Sequence, residues 1–563
     1  MRTSKFRTCA VVVFALIVRG MAYAQDGGEV HGNFSTDAQF YKEDLEIGAI
    51  PPPQQFGINS WMNLQYTQGR FRAGVRLEGY NPALLGYPAG QPYKGTGLGY
   101  RYATYTGDGL EVTVGNFFEQ FGQGMVFRSF EERYLGVDNA MDGVRVLFKA
   151  HDGIYLKGLV GQQRFGFENG FTKGPGIVRA FDAEVNFAEL LDTAWTIKGN
   201  LIIGGSFVSK FQEDRDPIYV LPENVGAWAG RVNYVNNKWN LYSEYAYKIN
   251  DPNNKNGFIY KPGQGLLVNA TYSTKGFGIT GSAHTFDNMF FQSDRAAPTP
   301  FDLNINFLPP RTKQHTYNLP ATLYPYATQP NGEVSFAGEV FRKFKKDTPL
   351  GGKYGTKVAV NYSCAFSLDS TLVTNDEQLI GYRTNFFSPG EEVYFKDFNL
   401  EVRKRISETW DLGLMYLNLV YNIDIIQGKP GKPTVYADIY IVEALHNFND
   451  RNSVRLEAQV LTTKQDSGSW ATAVAEFTFS PHWFVAAQDQ FNYKTLDDTF
   501  EKGGVEKPTQ RVHYPIMSFG FIRGGTRFQM NYGRQRAGIF CVGGVCRQVP
   551  SATGLSLSIT STF

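Results

Sequence analysis

Long stretches of this chain alternate apolar and polar residues with a period of two. From Arg70 to Tyr80, Phe71, Ala73, Val75 and Leu77 share one face, and Arg70, Arg72, Arg76 and Glu78 share the other. Val454, Leu456, Ala458 and Val460 oppose Arg455, Glu457 and Gln459 in the same way, and Leu110, Val112 and Val114 oppose Glu111 and Thr113. Such a period belongs to β-strands, whose successive side chains point to opposite faces. Asp411 to Tyr421 alternates poorly, and its two faces cannot be assigned from the pattern.

The connections between strand-like runs alternate between short and long. Short links fall at Gly524-Gly525, Ser480-Pro481-His482, Asn449-Asp450-Arg451, Ser407-Glu408 and Thr274-Lys275-Gly276. Further back they fall at Asn236-Asn237, Asp192-Thr193, His151-Asp152-Gly153, Thr106 to Gly109 and Gln68-Gly69. Most carry Gly, Asn or Asp, the residues that tolerate the positive φ of tight turns. Between them lie long polar stretches near 42–57, 81–97, 118–142, 166–176, 211–224, 250–262, 288–331, 368–395, 422–434 and 495–509. A sheet with turns along one edge and loops along the other is the pattern of an outer-membrane barrel, with turns on the periplasmic side and loops outside. Counting back from the C-terminus to a first strand near Asn33 to Tyr41 predicts about 24 strands, within a range of about 20 to 26.

Both termini agree with an exported barrel. The last residues place Leu555, Leu557, Ile559 and the terminal Phe563 on one face, with small polar residues between, as a closing barrel strand requires; an edge strand of a soluble sandwich would share that pattern. At the other end Arg2, Lys5 and Arg7 precede an apolar run from Cys9 to Val18, and Ala22-Tyr23-Ala24 offers a cleavage site. Residues 1–24 are thus expected to be a signal peptide and 25–563 the mature barrel. Cleavage removes Arg2, Lys5, Arg7 and Arg19 and no acid, so 55 basic and 53 acidic residues become 51 and 53, nearly neutral. No nucleic-acid partner is expected.

No later stretch reaches the ~20 apolar residues of a membrane-spanning helix. The 60 glycines and the aromatic load of 45 Phe, 32 Tyr and 7 Trp, with a mean hydropathy of −0.30, suit a barrel with a wet interior. Nothing marks a linker, a repeat or a second domain. Only Gln25 to Gly32 precede the first strand, too few residues for an N-terminal plug domain. The expected fold is a single transmembrane, antiparallel, up-and-down outer-membrane β-barrel.

Candidate chemistry concentrates in a few places. The segment from Asn116 to Asp142 mixes Arg128 and Arg133 with Glu119, Glu131, Glu132, Asp138 and Asp142, and adds Phe117, Phe118, Phe121, Phe127 and Phe130. So apolar a loop either folds into the lumen and constricts it or packs on the rim. Arg70, Arg72, Arg76, Arg145 and Lys149, with Glu78 and Glu111, are the expected lumen lining; they would either attract anionic solutes or pair as a rigidifying ladder. Cys541-Val-Gly-Gly-Val-Cys546 is expected to close a disulfide in an oxidising compartment. Cys364 falls in register with Val358, Val360, Tyr362 and Phe366 and is expected on the lipid face. The 288–331 stretch, stiffened by Pro298, Pro300, Pro309, Pro310, Pro320, Pro325 and Pro330, is a lid, a plug or a partner-binding arm.

Enzyme chemistry is not expected. Histidines 31, 151, 284, 315, 446, 482 and 513 are scattered without metal-ligand spacing, and no G-x-S-x-G elbow or phosphate loop occurs. No cofactor or metal is implied.

The passage Gly115 to Gly124, followed by Arg128 and Arg133-Tyr-Leu-Gly-Val-Asp-Asn-Ala-Met-Asp-Gly143-Val-Arg-Val, resembles a family of uncharacterised outer-membrane proteins from Bacteroidota, as do the Cys541 to Cys546 turn and the terminal Phe563. The same stretch is more weakly similar to exporter-type porins. The resemblance implies an outer-membrane location and no particular activity. The expected function is a porin-like channel for small solutes through a loop-constricted lumen. The alternative is a non-conducting barrel that scaffolds a secretion, assembly or surface-lipoprotein complex. Outer-membrane lipid, the barrel assembly machinery and an outer-membrane partner protein are the partners these readings involve.

Overall fold

The computed structural model describes residues 27–88, 92–297, 302–373, 379–494, 511–542 and 545–563, without the side chains of 540–547. The signal peptide expected at 1–24 lies outside the described residues.

The wall is one 24-stranded sheet closed on itself. Closure is made by the first strand, Glu29–Lys42, and the last, Ala552–Thr562, in antiparallel register, with Phe40 opposite Leu555, Ala38 opposite Leu557 and Thr36 opposite Ile559. Phe563 and Gly32 exchange two backbone hydrogen bonds, of 2.8 and 2.9 Å, so the terminal residue completes the seam. A closed sheet leaves no unpaired edge, a condition for strands to cross lipid.

Period two sorts the side chains as the pattern demands. In neighbouring strands Asn224–Val235 and Trp239–Lys248, Trp228, Val232, Leu241 and Tyr245 are exposed outward, whereas Ala229, Arg231, Glu244 and Ala246 are buried inward. Outward aromatics gather just after the turns, where Trp239 meets Tyr272 at 4.8 Å, Trp483 meets Phe521 at 4.3 Å and Phe71 meets Tyr105 at 5.1 Å. A second group, Phe207, Trp228 and Tyr247, lies towards the loops. These are the aromatic girdles that bracket a lipid-facing band. Val232→Arg, in that band, is expected to cost about 2–4 kcal/mol in detergent-to-urea unfolding. Unchanged stability would show that this face does not meet lipid.

Some connections differ from the sequence expectation. The stretch 166–176 is not a long loop: strands Ile154–Glu168 and Phe171–Asn186 run on to a tight turn at Asn169 (φ 55°) and Gly170. Likewise 368–395 is mostly wall, because Thr356–Leu372 and Tyr382–Arg405 continue as a paired hairpin beyond the neighbouring strands. In both, polar composition marks strands that have left the lipid, and a loop has the same composition. Two further connections join the alternation, a turn at 345–355 closed by Asp347 N–H to Gly352 O (2.8 Å) and a tight loop between Asn452–Thr463 and Ser469–Phe479. Cys364 keeps its outward register, opposite Phe336, but is buried among its neighbours.

Among the described residues the chain leaves the wall inward at two places. Strand Leu110–Phe117 is short and ends with Phe117 opposite Met141, where the chain returns. Above that exit the wall is mended by a parallel pairing of Tyr93 with Phe167 and Lys94 with Glu168. Asp287 and Gly332 likewise face each other across the second exit.

Candidate functional site: a filled lumen

Twenty-four strands ~4.8 Å apart and tilted ~40° give a perimeter of ~150 Å, or ~48 Å across if circular. What fills that space decides what the barrel can pass.

The first filling segment, 118–140, buries Phe121, Met125, Val126 and Phe127 completely. They pack against inward wall residues Leu159, Val178, Ala180, Val208 and Ala229. Two glycines shape the segment: a Cβ on Gly122 (φ 50°) would sit 2.6 Å from the Glu244 carboxylate of the wall, and Gly124 (φ 93°) turns the chain beside Arg128 and Phe307. The Gln123 N–H donates to Glu244 at 2.8 Å. The Arg128 N–H donates to Ile305 O at 2.7 Å, and the Arg128 guanidinium lies 4.7 Å from the Phe130 ring and 4.2 Å from that of Phe307.

Charges hold this segment to the wall. Glu78, with a fully buried side chain, accepts two 2.7 Å bonds from Arg164 and one of 2.6 Å from Arg76. Arg76 also pairs with Glu131 at 2.8 Å and with Asp138, which Arg164 reaches at 3.0 Å. Glu131 binds Arg133 at 2.8 Å. Arg145 bridges Glu111 and Glu119, and Lys157 reaches Glu119 at 2.9 Å. Glu132 is half-buried, whereas Asp142 is not in the loop: it falls in wall strand Met141–His151 on the outward face of Val144, where it pairs with the wall residues Lys173 at 2.6 Å and Arg101 at 3.3 Å.

Other candidate residues sit elsewhere. Arg70 and Lys149 stand at the turn-end rim, because each flanks a turn rather than a strand centre; Arg70 meets Asp108 at 3.2 Å and Lys149 meets Asp152 at 2.7 Å. The Lys149 ammonium holds the Asp152 carboxyl below its usual range. Arg72 shares the inward register but is exposed near the same end. On the outer loop at 212–223, backbone N–H groups of Leu221 and Asp216 lower Asp214. Backbone pairing sets Cys541 opposite Cys546, and their side chains, with any disulfide, lie outside the described residues.

The second filling segment, described over 288–297 and 302–331, crosses the lumen. Lys210 donates to Gln292 O at 2.8 Å and Lys248 to Phe290 O, while Lys210 pairs with the buried Asp251 at 2.7 Å. Further along, Lys313 reaches Asn399 at 3.2 Å, His315 meets Asp397 at 2.5 Å, and Leu319 N–H donates to Gln459 at 2.9 Å. Arg536, beyond strand Thr526–Gln535, donates to Thr322 O at 3.0 Å. Between these anchors Leu319, Leu323, Tyr324 and Tyr326 pack on Met415, Leu417, Tyr421, Ala437, Ile439 and Ile441. Strand Trp410–Asn422 alternates poorly for this reason: its outward face meets lipid and its inward face meets this core.

Arg164, Lys210, Lys248, His315 and Asp397 were missed by sequence reasoning. Lys210 and Lys248 fall in step with the inward Val208 and Ala246, a usable signal. The partners of the others come from segments far apart in the chain, and no local pattern carries that. Two spaces stay open towards the turns. One of about 780 Å³ is lined by Tyr100, Tyr102, Arg76, Glu131 and Arg133, and one of about 220 Å³ by Asp182, Glu184, Arg231 and Lys157.

The model of a family described as a family of unknown function, DUF6029, matches residues 4–563. The chain belongs to that family. No curated protein matches it. Among solved structures it is similar to the siderophore receptor PirA from Pseudomonas aeruginosa, at 10% identity over 95% of this chain and 80% of that one, TM-score 0.42. It is similar also to the translocation pore of the P pilus usher PapC, at 8% identity over 95% and 99%, TM-score 0.41, and to OccAB4 of Acinetobacter baumannii, at 10% identity over 83% and 99%, TM-score 0.34. With scores this low, the fold rests on the strand pairing itself.

Proposed function

We propose that this protein is an outer-membrane barrel of a Gram-negative cell, of the kind the resemblance to Bacteroidota proteins implies, and that its own loops hold it closed. Its turns face the periplasm and its loops the outside. The observation that carries this reading is the apolar core formed inside the lumen, where Leu319 to Tyr326 cover the inward face of strands Trp410–Asn422 and Thr434–Asn447. A water-filled pore needs a polar inner wall at that depth, and here the wall is built for burial. A closed barrel suits a scaffold for an outer-membrane partner, and the exposed Ile218, Val220 and Phe387 at the loop end offer apolar surface for one. The barrel assembly machinery would insert it.

A second reading, a narrow channel for small solutes beside segment 118–140, is favoured by the two charged spaces towards the turns. Single-channel recording in a planar bilayer separates the two. The wild-type barrel is expected to be silent. Steady ohmic steps with a defined ion preference would replace the closed reading with the channel.

A further inference from the structure

We propose that the loop end of the barrel holds a binding site for a small, neutral, mainly apolar molecule. A cavity of about 320 Å³ opens where the two arms of the 288–331 segment part, within the size range of small-molecule pockets. Phe290 and Phe307 line it from one arm and Pro325 from the other, Tyr421 from the wall, and Ile425 and Ile426 from the short helix Ile423–Gln427. No charged side chain lines it, so the ligand is neutral.

Its walls are held apart by bonds that do not depend on an occupant. The Asn422 side chain caps the helix by accepting from the Ile425 N–H at 3.3 Å, and Gly428 ends it in the left-handed region. Asn306 Nδ2 donates to Met125 O at 3.1 Å and Met289 O at 2.8 Å, which fixes one arm. The Tyr421 hydroxyl donates to Pro325 O at 3.2 Å, which fixes the other. Thr328 also lines the cavity, with its hydroxyl shielded from the open space. The volume excludes an oligosaccharide or a peptide and suits a fused-ring or short-chain apolar molecule. The site would fill from outside without any passage through the lumen, so it stands whether or not the barrel conducts.

The test is a fluorescence titration of the full-length barrel in nanodiscs with 1-aminoanthracene, a neutral fused-ring amine, against empty nanodiscs. Saturable binding above the lipid background is expected. Ala327→Trp, which fills the cavity, should weaken it at least tenfold, while Leu414→Trp on the lipid face leaves it unchanged. Ile426→Trp, at the helix, blocks the cavity independently should Ala327→Trp fail to fold, as judged by heat-modifiable gel mobility. Binding no greater than to empty nanodiscs, or saturable binding that both blocking variants leave intact, would overturn the site.

Discussion

Replacing residues 290–329 with an Asn-Gly turn is expected to convert a silent barrel into a high-conductance pore. The splice is geometrically mild, because the two ends already lie side by side. Asp287 faces Gly332, and the Met289 N–H donates to Pro330 O at 2.8 Å, so a two-residue turn closes the hairpin as it would any antiparallel pair. What is lost is the material that crosses the lumen and its anchors on Lys210, Lys248, Asp397 and Gln459. Within a perimeter of ~150 Å, segment 118–140 alone leaves most of the cross-section open, and conductance should rise at least about tenfold over any residual wild-type current. The apolar inner faces of Trp410–Asn422 and Thr434–Asn447 become wet in this variant, so it should also bind hydrophobic dye and melt earlier. A folded deletion variant that stays silent would place the seal in segment 118–140 instead.

Glu78→Leu should be among the most damaging single changes in the barrel. The Glu78 side chain is fully buried between Arg76 and Arg164, whose own side chains are 4% and 1% exposed. Removing the carboxylate leaves two guanidinium groups to share Glu131 and Asp138, and breaking a buried pair of this kind costs about 3–5 kcal/mol, mostly as unpaired buried charge. Arg70→Ala, which breaks the exposed pair with Asp108, should shift stability by less than about 0.5 kcal/mol. Both are read from urea unfolding of the refolded barrel. Equal stability of Glu78→Leu and wild type would mean that the network on Arg76 is not what fastens segment 118–140 to the wall.

These two expectations also show where sequence reasoning stops. Arg76 and Glu78 fall on one face of Arg70 to Tyr80 by period alone, and the Phe-rich segment 118–142 announces burial by composition. That Arg164 completes the pair does not follow from either, because Arg164 sits beside a stretch whose polar residues read as a loop and which in fact continues the wall. The proline-rich 288–331 segment was equally suited to a lid, a plug or an arm. Its place inside is decided by the inner wall opposite it, chiefly Tyr421, Ile439 and Ile441.

By itself the sequence determined the strands, their faces, the side on which turns and loops fall, and a strand number near that observed. Each of these follows from interactions between residues a few positions apart: side-chain alternation, turn conformations, and the need to pair every backbone group in lipid. The filling of the lumen was decided only by tertiary structure. A long loop enters or stays out according to the free energy of burying it against strands a hundred or so residues away. The poorly alternating Asp411 to Tyr421 carries the trace of that decision, and its meaning depends on which segment comes to cover it.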